Sequence, residues 1–279
     1  MLAYRKGEDQ TETFGRLHWL AKVGISTKLI YFFRTMTHLP SHAIDSTVIG
    51  KSKVSAWLMA LIYPFGRRFL RWYFGEITIT GQSYLSDTGP IILAPTHRSR
   101  WDGILLSFAA GRRVTGRDLR FMVTASEVRG LQGWLIRHLG GFPVDTKRPE
   151  LSSLFYSVAL LQAGEMLVIF PEGGIFHDRQ VHPLKRGVGR IALEVYKRDP
   201  DTTMQVIPVT IQYSDPFPKR GTNINIDFGP GIAANQFDPT KVKSSSEQLT
   251  QRLKVSLQSL YLQHAESPHP SPAATAVEC

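Results

Sequence analysis

The spacing of apolar and polar residues changes character near residue 75. Before that point two apolar segments stand out. One covers 17–33, with lysines interspersed. The other covers 54–65 (VSAWLMALIYPF) and runs straight into Gly66, Arg67, Arg68, Phe69, Leu70, Arg71, Trp72, Tyr73 and Phe74. Neither reaches the roughly 18 uninterrupted apolar residues that a spanning helix needs. Aromatic, leucine and arginine residues mixed on one short segment predict an amphipathic helix lying in a membrane interface, its cations near lipid phosphates; the alternative is a pair of amphipathic helices packed on the domain. After residue 75, short β-rich runs alternate with helical periodicity. The pattern predicts strands at 77–80, 91–94, 121–124, 166–170, 205–212 and 225–228, and helices at 103–110, 131–139, 149–163, 188–197 and 245–262. That alternation predicts an α/β domain, a mixed or parallel sheet flanked by helices. The expected organisation is a head of membrane-association helices over 1–75, an α/β domain over 76–264 and a disordered Pro/Ser/Ala-rich tail over 265–279.

Charge narrows the partners. Lys and Arg outnumber Asp and Glu by 33 to 23, a formal charge of +10 over 279 residues. Such an excess favours an acidic partner: nucleic acid, an anionic bilayer or a phosphorylated substrate. No helix-turn-helix, aromatic RNA-binding signature or zinc spacing supports nucleic acid, which leaves membrane lipids and phosphate-bearing molecules. The single cysteine, Cys279, rules out a disulfide framework and cysteine catalysis. The opening MLAYRKGEDQTETFG is polar and lacks a signal-peptide apolar region, so export is not expected.

Four blocks carry candidate chemistry. The first is His97-Arg98-Ser99-Arg100-Trp101-Asp102, directly after the strand IILAPT. Five residues apart on one regular helix, His and Asp would point about 140° from each other. With His97 in the turn and Asp102 in the first turn of the following helix, the two can bond. A carboxylate on one ring nitrogen fixes the tautomer and leaves the other nitrogen to accept a proton. No G-x-S-x-G elbow supplies a serine nucleophile, so the activated hydroxyl is expected to belong to the substrate. The spacing alone arises easily by chance; its place at a strand end is what gives it weight. The second block, Phe170-Pro171-Glu172-Gly173-Gly174, ends the apolar strand MLVIF, with two glycines that leave backbone amides open to a ligand. The third, Gly140 to Arg148, pairs glycines with two cations suited to phosphate, Lys147 and Arg148. The fourth is the apolar strand Val206-Ile207-Pro208-Val209, whose proline either bulges it, lines an acyl groove or sits in the core.

In this order and spacing the blocks resemble the glycerolipid acyltransferases, specifically the 1-acylglycerol-3-phosphate acyltransferases, over roughly residues 75–215. His97 and Asp102 match the family's H-x4-D block, Phe170 to Gly173 its F-P-E-G block, and Ile207-Pro208 its later strand. Lys185 and Arg186, in PLKRG, resemble its basic segment. The resemblance implies that His97 takes the proton of an acceptor hydroxyl, which attacks the thioester of acyl-coenzyme A or an acyl carrier protein, while Asp102 orients His97. It implies that Glu172, Gly173, Gly174, Lys147, Arg148, Lys185 and Arg186 hold the acceptor. It implies no metal and no cofactor beyond the acyl donor as co-substrate, and a peripheral or monotopic place on the cytoplasmic side of a membrane. A thioester is already activated, so a base, positioning and oxyanion stabilisation suffice.

Three positions depart from the family pattern. Ala125 stands where a lysine is common, Thr146 where an arginine usually follows the Asp of the glycine block, and Ile175 where F-P-E-G-T-R has its arginine. The acceptor therefore stays open between 1-acylglycerol-3-phosphate, glycerol 3-phosphate and another lysophospholipid. A peripheral lipid-binding protein without chemistry, or a hydrolase using the same His–Asp pair with water, are the competing readings.

Overall fold

The computed structural model describes residues 54–144 and 151–266. The apolar segment at 17–33, the candidates Lys147 and Arg148, and the tail beyond 266 lie outside the described residues. The first described helix, α1 (Ala56–Tyr73), is continuous and carries Pro64 within it. An eight-stranded sheet follows, built from β1 (Ile77–Thr80), β2 (Ile91–Pro95), β3 (Leu119–Thr124), β4 (Gly141–Val144), β5 (Met166–Val168), β6 (Gln205–Tyr213), β7 (Ile224–Phe228) and β8 (Ile232–Ala233). The helices between and after them are α2 (Asp102–Ala110), α3 (Arg112–Thr115), α4 (Gly130–His138), α5 (Leu151–Gln162), α6 (Gly187–Arg198) and α7 (Val242–Glu266).

The strand order is β1-β7-β6-β2-β5-β3-β4, with β8 also paired to β6. Neighbours run parallel except β6 with β7 and with β8. The central strands are apolar on both faces, as a sheet covered on both sides requires. Successive side chains of β2 alternate between two cores. Ile92 and Ala94 pack under α5, α6 and α7, with Val158, Ile191 and Leu253. Ile91 and Leu93 pack under α1 and α2, with Leu70, Leu105 and Leu106. The mixed sheet flanked by helices is thus as the alternation predicts.

Two proline-bearing strands show why these residues could fold this way. β4 (GFPV) lies in the block read from sequence as a phosphate loop. It is the sheet's last strand in order, paired only to β3, where a missing N–H goes unneeded. Pro208 sits in the interior strand β6 opposite Ala94. On its other side β8 stops pairing at Val206 and β7 starts at Val209, so Pro208 falls in the gap between two partners and makes no bulge.

The chain leaves β2 through α2 on one face toward β3, and leaves β5 through α6 on the other face toward β6. The carboxyl ends of adjacent β2 and β5 therefore open a crevice, the usual ligand position in such sheets. His97 follows β2 and Glu172 follows β5.

Candidate active site

β2 ends at Pro95, and the next residues turn sharply before α2 begins at Asp102. This places His97 and Asp102 face to face. His97 Nδ1 lies 2.8 Å from Asp102 Oδ2. The Asp102 side chain is fully buried and that of His97 is one-fifth exposed. The same carboxylate oxygen accepts the backbone N–H groups of Arg98 at 2.6 Å and Ser99 at 2.9 Å. The other oxygen accepts the Tyr213 hydroxyl at 2.6 Å. A carboxylate ringed by donors can only accept, so Nδ1 carries the proton and Nε2 presents a lone pair. Nε2 has no hydrogen-bond partner among the described residues. The imidazole stacks on Phe170, with ring centroids 4.0 Å apart.

Glu172 braces this pair. Its side chain is fully buried. One oxygen accepts the His97 backbone N–H at 2.9 Å and Arg98 Nη1 at 2.7 Å. The other accepts Arg98 Nη2 at 3.1 Å and the His182 backbone N–H at 3.0 Å. Arg98 is held further by the Gln180 carbonyl and by the Tyr261 hydroxyl of α7. Burial alone would lower the pKa of the Arg98 guanidinium; its bonds and proximity to Glu172 and Tyr261 outweigh that and raise it. The Phe176 N–H returns to the His97 carbonyl at 2.9 Å. Glu172, expected from sequence to hold substrate, thus has both oxygens occupied by protein donors and fixes the His97 turn.

The remaining expected residues divide. Gly173 has φ +70°, a conformation that favours glycine, and a side chain there would collide with the end of Lys185. The Lys185 ammonium therefore lies against the FPEGG turn, and it makes no ion pair among the described residues. The N–H groups of Gly174 and Ile175 likewise meet no acceptor among the described residues. Arg186, by contrast, gives its guanidinium to Glu247 of α7 at 2.6 Å. Sequence reading named Arg98 and Phe170 within their blocks without giving them a role, and did not single out Tyr213 or Tyr261. Arg98 had a signal: an arginine between His97 and Asp102 at a buried strand end needs a carboxylate. Tyr213 and Tyr261 had none, because their partners lie more than 100 residues away.

Comparison with known proteins bears on the family and the fold. Residues 76–212 match the family model described as Acyltransferase. A 1-acyl-sn-glycerol-3-phosphate acyltransferase of Streptococcus pneumoniae is 26% identical over 170 residues, covering 58% of this chain and 55% of that protein. A protein of Dictyostelium discoideum named taffazin is 31% identical over 108 residues, covering 34% of this chain and 38% of that protein. The matched stretch thus spans about half or less of these relatives. The crystal structure of the 1-acyl-sn-glycerophosphate acyltransferase PlsC from Thermotoga maritima superposes with a TM-score of 0.59 at 18% identity, covering 90% of this chain and 95% of that one, which shows a shared fold. Residues 76–212 of this chain are therefore an acyltransferase-family domain, of the glycerolipid kind that resembles the lysophosphatidic acid acyltransferases.

Proposed function

We propose that the protein transfers a fatty acyl group from acyl-coenzyme A or acyl carrier protein to the free hydroxyl of 1-acylglycerol-3-phosphate, forming phosphatidic acid in phospholipid biosynthesis. The observation that carries this reading is the His97–Asp102 pair, with Nδ1 tied and Nε2 open at the crevice. Nε2 takes the acceptor's proton as its oxygen attacks the thioester carbonyl. The tetrahedral oxyanion collapses, the carbon–sulfur bond breaks, and the proton on His97 passes to the departing thiolate. The test incubates the full chain with a panel of lysophospholipids and labelled acyl-coenzyme A or acyl carrier protein, and identifies the products. No transfer to any member would reject the reading. Transfer only to acceptors lacking a terminal phosphate would favour the second one, another lysophospholipid, to which Ala125 and Ile175 point.

Lys185 is the described cation we assign to the acceptor phosphate, with the open N–H groups of Gly174 and Ile175 beside it. A compact ammonium and two amides suit a phosphate where the motif arginine is replaced. Lys185→Ala is expected to raise the Michaelis constant for the phosphate-bearing acceptor roughly tenfold and to leave that for the donor unchanged, read from parallel titrations. Equal constants would move the assignment to Lys147 and Arg148.

The same reading places the protein on the cytoplasmic face of a membrane, with α1 as its contact. Among the described residues no helix is long and apolar enough to cross a bilayer. The outer face of α1 instead exposes Trp57, Phe65 and Trp72 together with Arg68 and Arg71, the composition of an interfacial helix. Arg67 differs, lying over the Phe108 ring of α2. Changing Arg68 and Arg71 to Glu is expected to weaken binding to anionic vesicles at least roughly tenfold, since each juxtamembrane cation contributes about 1 kcal/mol. Flotation measures this; unchanged binding by the double variant would reject the electrostatic part.

A further inference from the structure

We infer that Tyr213 is a positioning residue for the His97–Asp102 pair: its hydroxyl, donated to Asp102 Oδ1, sets both the orientation of the carboxylate and the pH at which His97 becomes a base. The inference rests on the acyl-transfer reading for its kinetic consequences, but its physical content does not.

The Asp102 carboxylate has two oxygens with different duties. Oδ2 serves the loop that contains it, through His97 Nδ1 and the N–H groups of Arg98 and Ser99. Oδ1 points into the sheet and meets the hydroxyl at the end of β6, 2.6 Å away and 111 residues on in sequence. The carboxylate can only accept, so the phenol donates. Both side chains are buried, so bulk water does not compete for this bond. Tyr213 therefore locks the torsion of Asp102 from outside the loop, and it removes charge density from the oxygen pair that holds the imidazole. Burial, the charge of Asp102 and the bond to it all raise the phenol's pKa; only the Ser99 hydroxyl opposes them. The phenol thus stays protonated wherever the enzyme works.

Other charged groups near the pair are already committed or lie to one side. Arg98 and Glu172 are bonded to each other. Asp178 is bonded to His182. His177, Arg179 and Tyr261 line a small cavity beside Tyr213. None of these groups bonds Asp102, so the phenol is its one side-chain donor besides His97 among the described residues.

The sign of the effect follows. Without the phenol, Asp102 is more strongly negative toward His97, the imidazolium is favoured, and the imidazole titrates at a higher pH. In Tyr213→Phe the rising limb of kcat/KM is expected to move up by roughly half to one pH unit, and kcat to fall about tenfold with KM unchanged, the order expected for one bond to a charged group. The primary readout is the titration of the His97 imidazole by nitrogen-15 NMR in the full chain, which needs no turnover. A wild type without acyl transfer would reject the proposed function and leave this titration to decide the inference. A purely structural tyrosine would lower the melting temperature without moving the His97 titration, and that result overturns the inference. Should Tyr213→Phe fail to fold, 3-fluorotyrosine placed at position 213 conserves volume and donates more strongly. It must then move the His97 titration to lower pH, and an unmoved curve again overturns the inference.

Discussion

His97→Ala is expected to lower acyl transfer by roughly 10²–10⁴-fold, the usual cost of removing a general base, while leaving the fold in place. The separation of effects follows from where the groups sit. The imidazole is partly exposed and holds little core. The backbone bonds of residue 97, its N–H to Glu172 and its carbonyl from Phe176, survive the change to alanine. Labelled-acyl transfer with circular dichroism and a thermal melt on the same preparation measures both. Near-normal turnover by folded His97→Ala protein would sink the mechanism. A lipid-binding protein without chemistry would show vesicle binding untouched and no transfer in either form, and a hydrolase would release free fatty acid from the wild type instead of forming a new ester.

Arg98→Ala is expected to produce the largest loss of stability of any single change at the site. It would leave the Glu172 carboxylate fully buried with its cation gone. Removing one partner of a buried pair costs about 3–5 kcal/mol, which for a chain of this size corresponds to a fall in melting temperature of roughly ten degrees. Activity should fall with it, since Glu172 also holds the His97 backbone N–H. Glu172→Gln should cost less on its own, because an amide oxygen can still accept one of these bonds. Combined with Arg98→Met it should recover part of the lost stability, no unpaired buried charge remaining. A melt of Arg98→Ala within about two degrees of wild type would mean that the pair is solvated and does not brace the turn.

Much of the fold was legible along the chain because the strands are written as apolar runs and the helices as apolar stripes. The runs beginning at Ile91, Met166 and Gln205 became adjacent sheet strands, and the stripes at 188–197 and 245–262 became α6 and α7. β4 was not legible. Its four residues include Gly141 and Pro143, which argue locally for a loop, and only pairing to β3 at the last position in the sheet makes them a strand. At the site, His97 and Asp102 could be paired from sequence because the turn that joins them is local. Glu172 could be singled out but not assigned, since its role depends on Arg98, 74 residues away.

The sequence by itself determined the α/β alternation, the basic charge, the His–Asp pair and the family, for each is written in local spacing or in short motifs. Only the tertiary structure decided that Glu172 braces rather than reaches outward, that Arg186 serves Glu247, and that Lys185 lies over Gly173. It alone brought Tyr213 and Tyr261 to the loop after β2. The reason is physical: local periodicity reports which face of an element is buried, whereas a buried hydrogen bond reports which distant elements the sheet order has made neighbours.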